Sequence, residues 1–199
     1  MRHIAACVLI TSWLIAIAAH AVAEPAATLT VRLYNTSGIP SDQLAVARDV
    51  ADGILRGTGI SVTFRQCGRL AGDTDSCDEP LKHAEVVVRI IDAPAFNPAL
   101  HPEAYGITYI VRATNRGWLA TVFSDRVDAA AQRIGIDSGT LFGRVMAHEI
   151  GHLLLGTDYH GNTGVMRAEW TDAIINRGRD EWRFSMAEAE RMQHVVASL

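Results

Sequence analysis

Alternating and continuous apolar positions along the chain predict strands and helices in a definite order. A helical stripe of apolar residues covers Ser41–Arg56, with Ser41 or Asp42 placed to cap it and Gly57 as a stop signal. The predicted strands are residues 29–34, 60–64, 85–91, 107–111 and 119–123. Because a strand, a helix and two further strands open this order, we expect a mixed open sheet with a helix packed on it.

A second long helical pattern follows the last predicted strand. It begins at a cap formed by Asp137 or Ser138 and continues to about Leu155, where Gly156 can end it. The helix is apolar on nearly every side, so we expect it to lie at the centre of the fold.

Shorter helical signals flank this central helix. Residues 127–133 predict one or two helical turns, and Ser185 with Glu188 forms a capping box for a last helix. The predicted fold class is α+β, with a mixed open sheet, a packed helix, a central helix and a C-terminal helix.

The N-terminus has the pattern of a secretory signal peptide. Basic Arg2 precedes an apolar run over residues 4–19, and the small-x-small triplet at residues 21–23 ends at Ala23. We therefore expect residues 1–23 to be a signal peptide and residues 24–199 to form a single domain. The apolar run is shorter than a usual membrane span, so we expect a secreted or periplasmic protein with no stable membrane anchor after cleavage.

Composition narrows the class of protein further. Hydrophobic residues make up 49% of the chain and charged residues 20%, which is enough for a full hydrophobic core. The formal net charge is −4, and no run of Lys or Arg offsets it. We therefore expect no nucleic-acid partner.

Two cysteines remain after signal cleavage, Cys67 and Cys77. In an oxidising compartment they most simply form one disulfide. Closing a loop of roughly ten residues stabilises the fold by about 2–3 kcal/mol in the chain-entropy model. The alternative is a free cysteine that binds a metal.

The segment HEIGH, residues 148–152, places metal-binding chemistry on the central helix. His148 and His152 are four residues apart, so their side chains lie about 40° apart around the axis and can reach one metal ion. Glu149 lies about 100° from His148, where it can act as a general base on water but shares the ion poorly. This division of roles predicts a catalytic zinc site.

A third zinc ligand must come from outside the helix, because a catalytic site keeps its fourth position for water. Gly156 lets the chain turn back towards the histidines. His160 lies four residues after this glycine and would complete a three-histidine set. Asp158 is the alternative third ligand, and it could instead hydrogen-bond a ligand imidazole.

The segment HEIGHLLLGTDYHGNTGVM, residues 148–166, resembles the active-site signature of the metzincin clan of zinc peptidases, HExxHxxGxxH followed by a methionine turn. Gly156 comes one place later than the glycine of that pattern, and His160 comes two places later than its third histidine. The resemblance implies a zincin or metzincin-like fold and a methionine turn at Met166. It also implies an extended peptide substrate along the edge strand near residues 106–111.

We therefore expect an exported metalloendopeptidase with one catalytic zinc ion, a peptide or protein substrate and Glu149 as general base on water activated by zinc. A zinc-stabilised binding domain without catalysis is one alternative, although such a site needs no base. A zinc amidase acting on cell-wall peptides is another.

Overall fold

The computed structural model describes residues 27–68, 77–94 and 103–198, so the predicted signal peptide lies outside the described residues. The strands are β1 (Ala27–Asn35), β2 (Ile60–Cys67), β3 (Glu85–Ile91), β4 (Gly106–Val111) and β5 (Arg116–Phe123). The helices are α1 (Ser41–Arg56), α2 (Ser124–Ile134), α3 (Ser138–Leu155), α4 (Asp172–Ile175) and α5 (Met186–Ser198), and a turn of 3-10 helix covers Arg179–Glu181.

The strands form one mixed, open sheet, as the sequence pattern predicts. Their order is β2-β1-β3-β5-β4. β1 is parallel to both β2 and β3, and β3 is parallel to β5. β4 is antiparallel to β5, with Gly106 opposite Val122 and Thr108 opposite Ala120. Within the described residues β4 therefore forms an edge of the sheet, and no strand pairs with its outer side.

The hydrophobic core lies between the sheet and the long helices. Leu29, Val31 and Leu33 alternate along β1 and are fully buried. α3 packs against α1, α5 and the β4–β5 end of the sheet. Because neighbours surround it, α3 is buried from Gly139 to Leu155 with few interruptions, which explains why its sequence is apolar on nearly every side.

The opposite face of β1 is covered by the segment that follows the disulfide. Cys67 and Cys77 are joined by this disulfide, with their Cα atoms 5.9 Å apart. Arg32 is 2% exposed and donates hydrogen bonds to the carbonyl oxygens of Cys77 at 3.1 Å and Glu79 at 2.6 Å. It also pairs with the buried carboxylate of Glu85. A buried charge needs such partners, so these contacts fasten the segment to the sheet.

The element ends differ from the sequence prediction in several places. β2 continues to Cys67 because its pairing with β1 extends to Tyr34. β5 begins at Arg116, and α2 begins at Ser124 and has 11 residues. α4 and the 3-10 turn were not predicted, because three or four residues are too few to show a helical period. Among the described residues, no helix has the length and apolar character needed to cross a membrane.

Candidate metal centre

α3 holds the HExxH residues inside the fold, and both of its ends have the predicted caps. Asp137 accepts a hydrogen bond from the N–H of Thr140 at 2.7 Å. Gly156 ends the helix in a left-handed conformation with φ of 63°. Between these caps, His148 and His152 lie on the same side of the helix, and they are only 9% and 6% exposed.

Three imidazole rings meet beside α3. The Nε2 atom of His152 lies 3.1 Å from Nε2 of His148 and 3.2 Å from Nε2 of His160. One ring nitrogen from each residue lies within 4.8 Å of the others. Nitrogen ligands placed 2.0–2.1 Å from a tetrahedral zinc ion are themselves about 3.3–3.4 Å apart. The spacing therefore fits three ligands of one zinc ion.

Main-chain carbonyls orient two of these rings. Nδ1 of His148 lies 2.8 Å from the carbonyl oxygen of Val165, and Nδ1 of His152 lies 2.8 Å from that of Thr157. A carbonyl oxygen only accepts, so each Nδ1 carries the hydrogen. The lone pair of each Nε2 then points at the common centre, which is the arrangement that histidine metal ligands use.

The protonation state of the histidines also suits metal binding. Burial lowers the pKa of His148 to about 3 and that of His152 to about 4. Burial also lowers the pKa of His160, and nearby Asp158 opposes that shift. Because a metal binds neutral imidazole, these groups need not lose a proton at neutral pH before they bind.

His160 reaches the centre from a short return loop after Gly156. The N–H of Tyr159 donates to Oγ1 of Thr157 at 3.1 Å, and the N–H of Gly161 donates to the carbonyl oxygen of Met166 at 2.7 Å. These bonds close the loop on both sides of His160.

Asp158, the alternative third ligand, does not belong to the cluster of three ring nitrogens. Its side chain is 86% exposed and lies 3.5 Å from the guanidinium of Arg112. The geometry therefore brings together the three histidines and leaves Asp158 at the surface.

The segment containing the predicted methionine turn lies under α3. Met166 is 1% exposed, and a Cβ atom on Gly151 would lie 2.5 Å from its sulfur. Gly151 comes directly before His152, so Met166 packs beneath the helical turn that joins the two histidines. The N–H of Val165 donates to the carbonyl oxygen of Arg183 at 3.1 Å, which fixes the turn to the C-terminal part of the chain.

Glu149 is a buried carboxyl group beside the edge strand. It is 5% exposed, and burial raises its pKa to about 7, partly offset by a hydrogen bond from Thr108. A carboxyl group with a pKa near neutrality can take up and release a proton at physiological pH. This is the property that a general base requires.

The three histidines and Glu149 line an open cleft of about 1120 Å³. β4 forms one wall from Gly106 to Ile110, and residues 168–172 form another wall together with Arg126 and Arg133 of α2. An extended chain could enter such a cleft along β4.

Sequence reasoning missed part of this site. Thr108 contacts Glu149, yet a single threonine in a predicted strand carries no signal for that contact. Trp170 lines the cleft, and the centroid of its ring lies 5.4 Å from that of the His148 ring. Trp118 lies on the β4–β5 hairpin and is 54% exposed.

Comparison with known proteins gives structural matches only. No protein-family model matches the chain. No curated protein matches it in sequence either. A crystal structure of archaemetzincin from Methanopyrus kandleri is similar with a TM-score of 0.56 and 15% identity, over 86% of this chain and 97% of that one. A zinc-dependent peptidase from Methanocorpusculum labreanum is similar with a TM-score of 0.51 and 16% identity, over 81% and 99%. The chain therefore shares the fold of these proteins.

Proposed function

We propose that the protein is a zinc-dependent hydrolase that cleaves peptide bonds, with one zinc ion held by His148, His152 and His160. The observation that carries this proposal is the meeting of three ring nitrogens beside a buried carboxyl group, Glu149, in an open cleft. The shared fold supports it, since one similar structure is named a zinc-dependent peptidase and the other an archaemetzincin. Bound zinc would supply the positive charge that polarises a scissile carbonyl and makes water more acidic.

Glu149 is the proton carrier in this proposal. Its carboxylate takes a proton from the attacking water and then gives that proton to the leaving amine nitrogen. Its burial supports this role, because a raised pKa matches the group to proton transfer near neutral pH. The carbonyl oxygens of Val165 and Thr157 keep the hydrogen of His148 and His152 on Nδ1, so that Nε2 stays free to bind zinc during the reaction.

The substrate is a peptide or a protein that lies extended beside β4. This strand is antiparallel to β5 and has a free outer edge among the described strands. Main-chain hydrogen bonds to that edge would hold the peptide, as in other complexes where a peptide adds a strand to a sheet. The position of Met166 beneath α3 supports a metzincin-like site with a lengthened path to its third histidine.

The protein acts outside the cytoplasm in this proposal, secreted or in a periplasm, as a single domain of residues 24–199. The Cys67–Cys77 disulfide supports this location, because such bonds persist mainly in oxidising compartments. N-terminal sequencing of the exported protein would test it, with Glu24 expected as the first residue.

Replacing Glu149 with glutamine tests the proposed reaction. Glutamine keeps the size of the side chain but cannot take a proton, so Glu149→Gln should lose about 10²–10⁴-fold in peptide hydrolysis. Zinc content and hydrolysis of a peptide library are measured on the same preparations. Wild-type zinc content in Glu149→Gln is expected, and full activity in that variant contradicts the role of Glu149.

Two further measurements, unfolding on removal of zinc by a chelator and hydrolysis of cell-wall peptides, separate the two alternatives. A chain that holds zinc, hydrolyses nothing and unfolds when a chelator removes the metal is a zinc-stabilised binding domain. A chain that cleaves cell-wall peptides but no protein-derived peptide is a zinc amidase.

A further inference from the structure

The hydroxyl group of Thr108 contacts Glu149 at two places. Its Oγ1 atom lies 2.6 Å from Oε2 of the Glu149 side chain and 3.1 Å from the main-chain oxygen of the same residue. Both are hydrogen-bond distances. Thr108 belongs to β4 and Glu149 to α3, so the contact links the edge strand to the central helix. Among the described residues, no other side chain donates a hydrogen bond to this carboxyl group.

The second carboxylate oxygen lies against the same strand. A Cβ atom on Gly106 would lie 2.6 Å from Oε1 of Glu149 and 2.7 Å from the main-chain oxygen of Thr121. Real side chains do not approach so closely, so the absence of a side chain at Gly106 makes room for the carboxyl group. Gly106 and Thr108 are two residues apart in a strand, so both positions face α3. β4 thus provides a space at one position and a hydrogen-bond donor at the other.

We propose that Thr108 is a positioning residue for Glu149, whose hydroxyl group fixes the rotation of the buried carboxylate against β4. The inference rests on the proposed function, in which Glu149 transfers the proton. The last side-chain torsion of glutamate is broad, so packing alone specifies the orientation of the carboxylate weakly. A hydrogen bond at 2.6 Å to one oxygen leaves the other oxygen in a defined direction. An error of about 1 Å in the position of a reacting group can cost about 10²-fold in rate.

The contact of Thr108 with Oε2 can persist in both forms of Glu149 during turnover. When the carboxylate is ionised, the hydroxyl group donates its hydrogen to Oε2. When the other oxygen, Oε1, carries the proton taken from water, Oε2 is still an acceptor, so the hydroxyl group keeps the same hydrogen bond.

Three variants, one of them a control, test the role of Thr108 in the zinc-loaded full chain. Thr108→Val keeps the shape but lacks the hydroxyl group, and Thr108→Ser keeps the hydroxyl group. Thr121→Val is the control, since it removes a buried hydroxyl group of β5 that binds Arg89 at 2.8 Å and not Glu149. Thr108→Val should lower kcat by about 10–10²-fold with little change in KM. Thr108→Ser and Thr121→Val should stay within about threefold of wild type.

A double variant separates positioning from general damage to the fold. If Thr108 acts through Glu149, adding Thr108→Val to Glu149→Gln costs no further activity. A double variant whose losses multiply overturns the proposal, and so does a Thr108→Val enzyme with wild-type kcat.

Crystal structures of wild type and Thr108→Val supply a measurement that does not depend on activity. The Glu149 carboxylate should bind Thr108 in wild type and change its orientation in the variant. An unchanged carboxylate in Thr108→Val overturns the proposal. If wild type hydrolyses no peptide, the proposed function fails, and the two structures still decide whether Thr108 positions Glu149.

Discussion

The Nδ1 atom of His148 lies 2.8 Å from the main-chain oxygen of Val165, although the two residues are 17 apart in the chain. Val165 belongs to a turn in which Gly164 has a φ of 69°. The orientation of a helical histidine therefore depends on a loop that follows the helix. A change in the backbone of this turn should reach the metal centre without altering any ligand.

We predict that Gly164→Ala weakens zinc binding by about 10–10²-fold. The position needs a left-handed backbone, and a Cβ atom there would collide with the main-chain oxygen of Arg183. The turn must therefore move to accommodate the added Cβ atom. Gly135→Ala is a matched control, because Gly135 has a φ of 77° but no atom within 4 Å of an added Cβ. Chelator competition should show wild-type zinc affinity in Gly135→Ala, and equal losses in both variants would contradict this account.

We predict that His160, and not Asp158, is the third zinc ligand. Nε2 of His160 lies 3.2 Å from that of His152, whereas the Asp158 side chain is 86% exposed beside Arg112. His160→Ala should lower zinc affinity by more than about 10²-fold, and Asp158→Ala should lower it by about tenfold or less. Competition with a chelator measures both, and the reverse order would assign the ligand to Asp158.

The helices and strands could be predicted because their apolar residues repeat with a clear period. The stripe over Ser41–Arg56 coincides with the observed helix, and α3 begins and ends at the predicted caps, Asp137 and Gly156. The predicted cap of α1 by Ser41 or Asp42 was wrong, because Pro40 occupies the cap position and no side chain there accepts a capping hydrogen bond.

The site was predicted from two local signals, the HExxH spacing on the helix and the turn at Gly156, which made His160 the expected third ligand with Asp158 as the alternative. HExxH spacing places His148, Glu149 and His152 through helix geometry alone. The contact of Thr108 with Glu149 depends on the packing of β4 against α3, across 41 residues of chain. A local sequence pattern cannot predict a contact between residues so far apart in the chain. The hydrogen bond between His148 and Val165 was unpredictable for the same reason.

We predict that the exported protein contains no free thiol group after residue 23. The structure joins Cys67 to Cys77, and thiol titration in denaturant should find both oxidised. Replacing both cysteines with alanine should lower the free energy of unfolding by about 2–3 kcal/mol, because the unfolded chain gains freedom. Urea unfolding measures the loss, and two free thiol groups in the exported protein would contradict the prediction.

The metal-free protein should lose stability as the pH falls from about 6.5 to about 5. Burial lowers the pKa of His148 to about 3 and that of His152 to about 4. In the unfolded chain both bind a proton near pH 6.5, so the unfolded state takes up more protons at these two positions as the pH falls. Protonation of the two histidines therefore favours unfolding in this window.

Glu149 acts in the opposite direction and provides the control. Burial raises its pKa from 4.5 to about 7, so the folded state takes up a proton that the unfolded state binds only at lower pH. This uptake favours the folded state as the pH falls, but one carboxyl group offsets only part of the effect of two histidines. Glu149→Gln removes the offset, so its stability should fall more steeply than that of wild type. Urea unfolding of both proteins at several pH values, with the metal removed by a chelator, measures the two slopes. Equal slopes, or a shallower fall in Glu149→Gln, would show that the folded protein does not raise the pKa of the Glu149 carboxyl group.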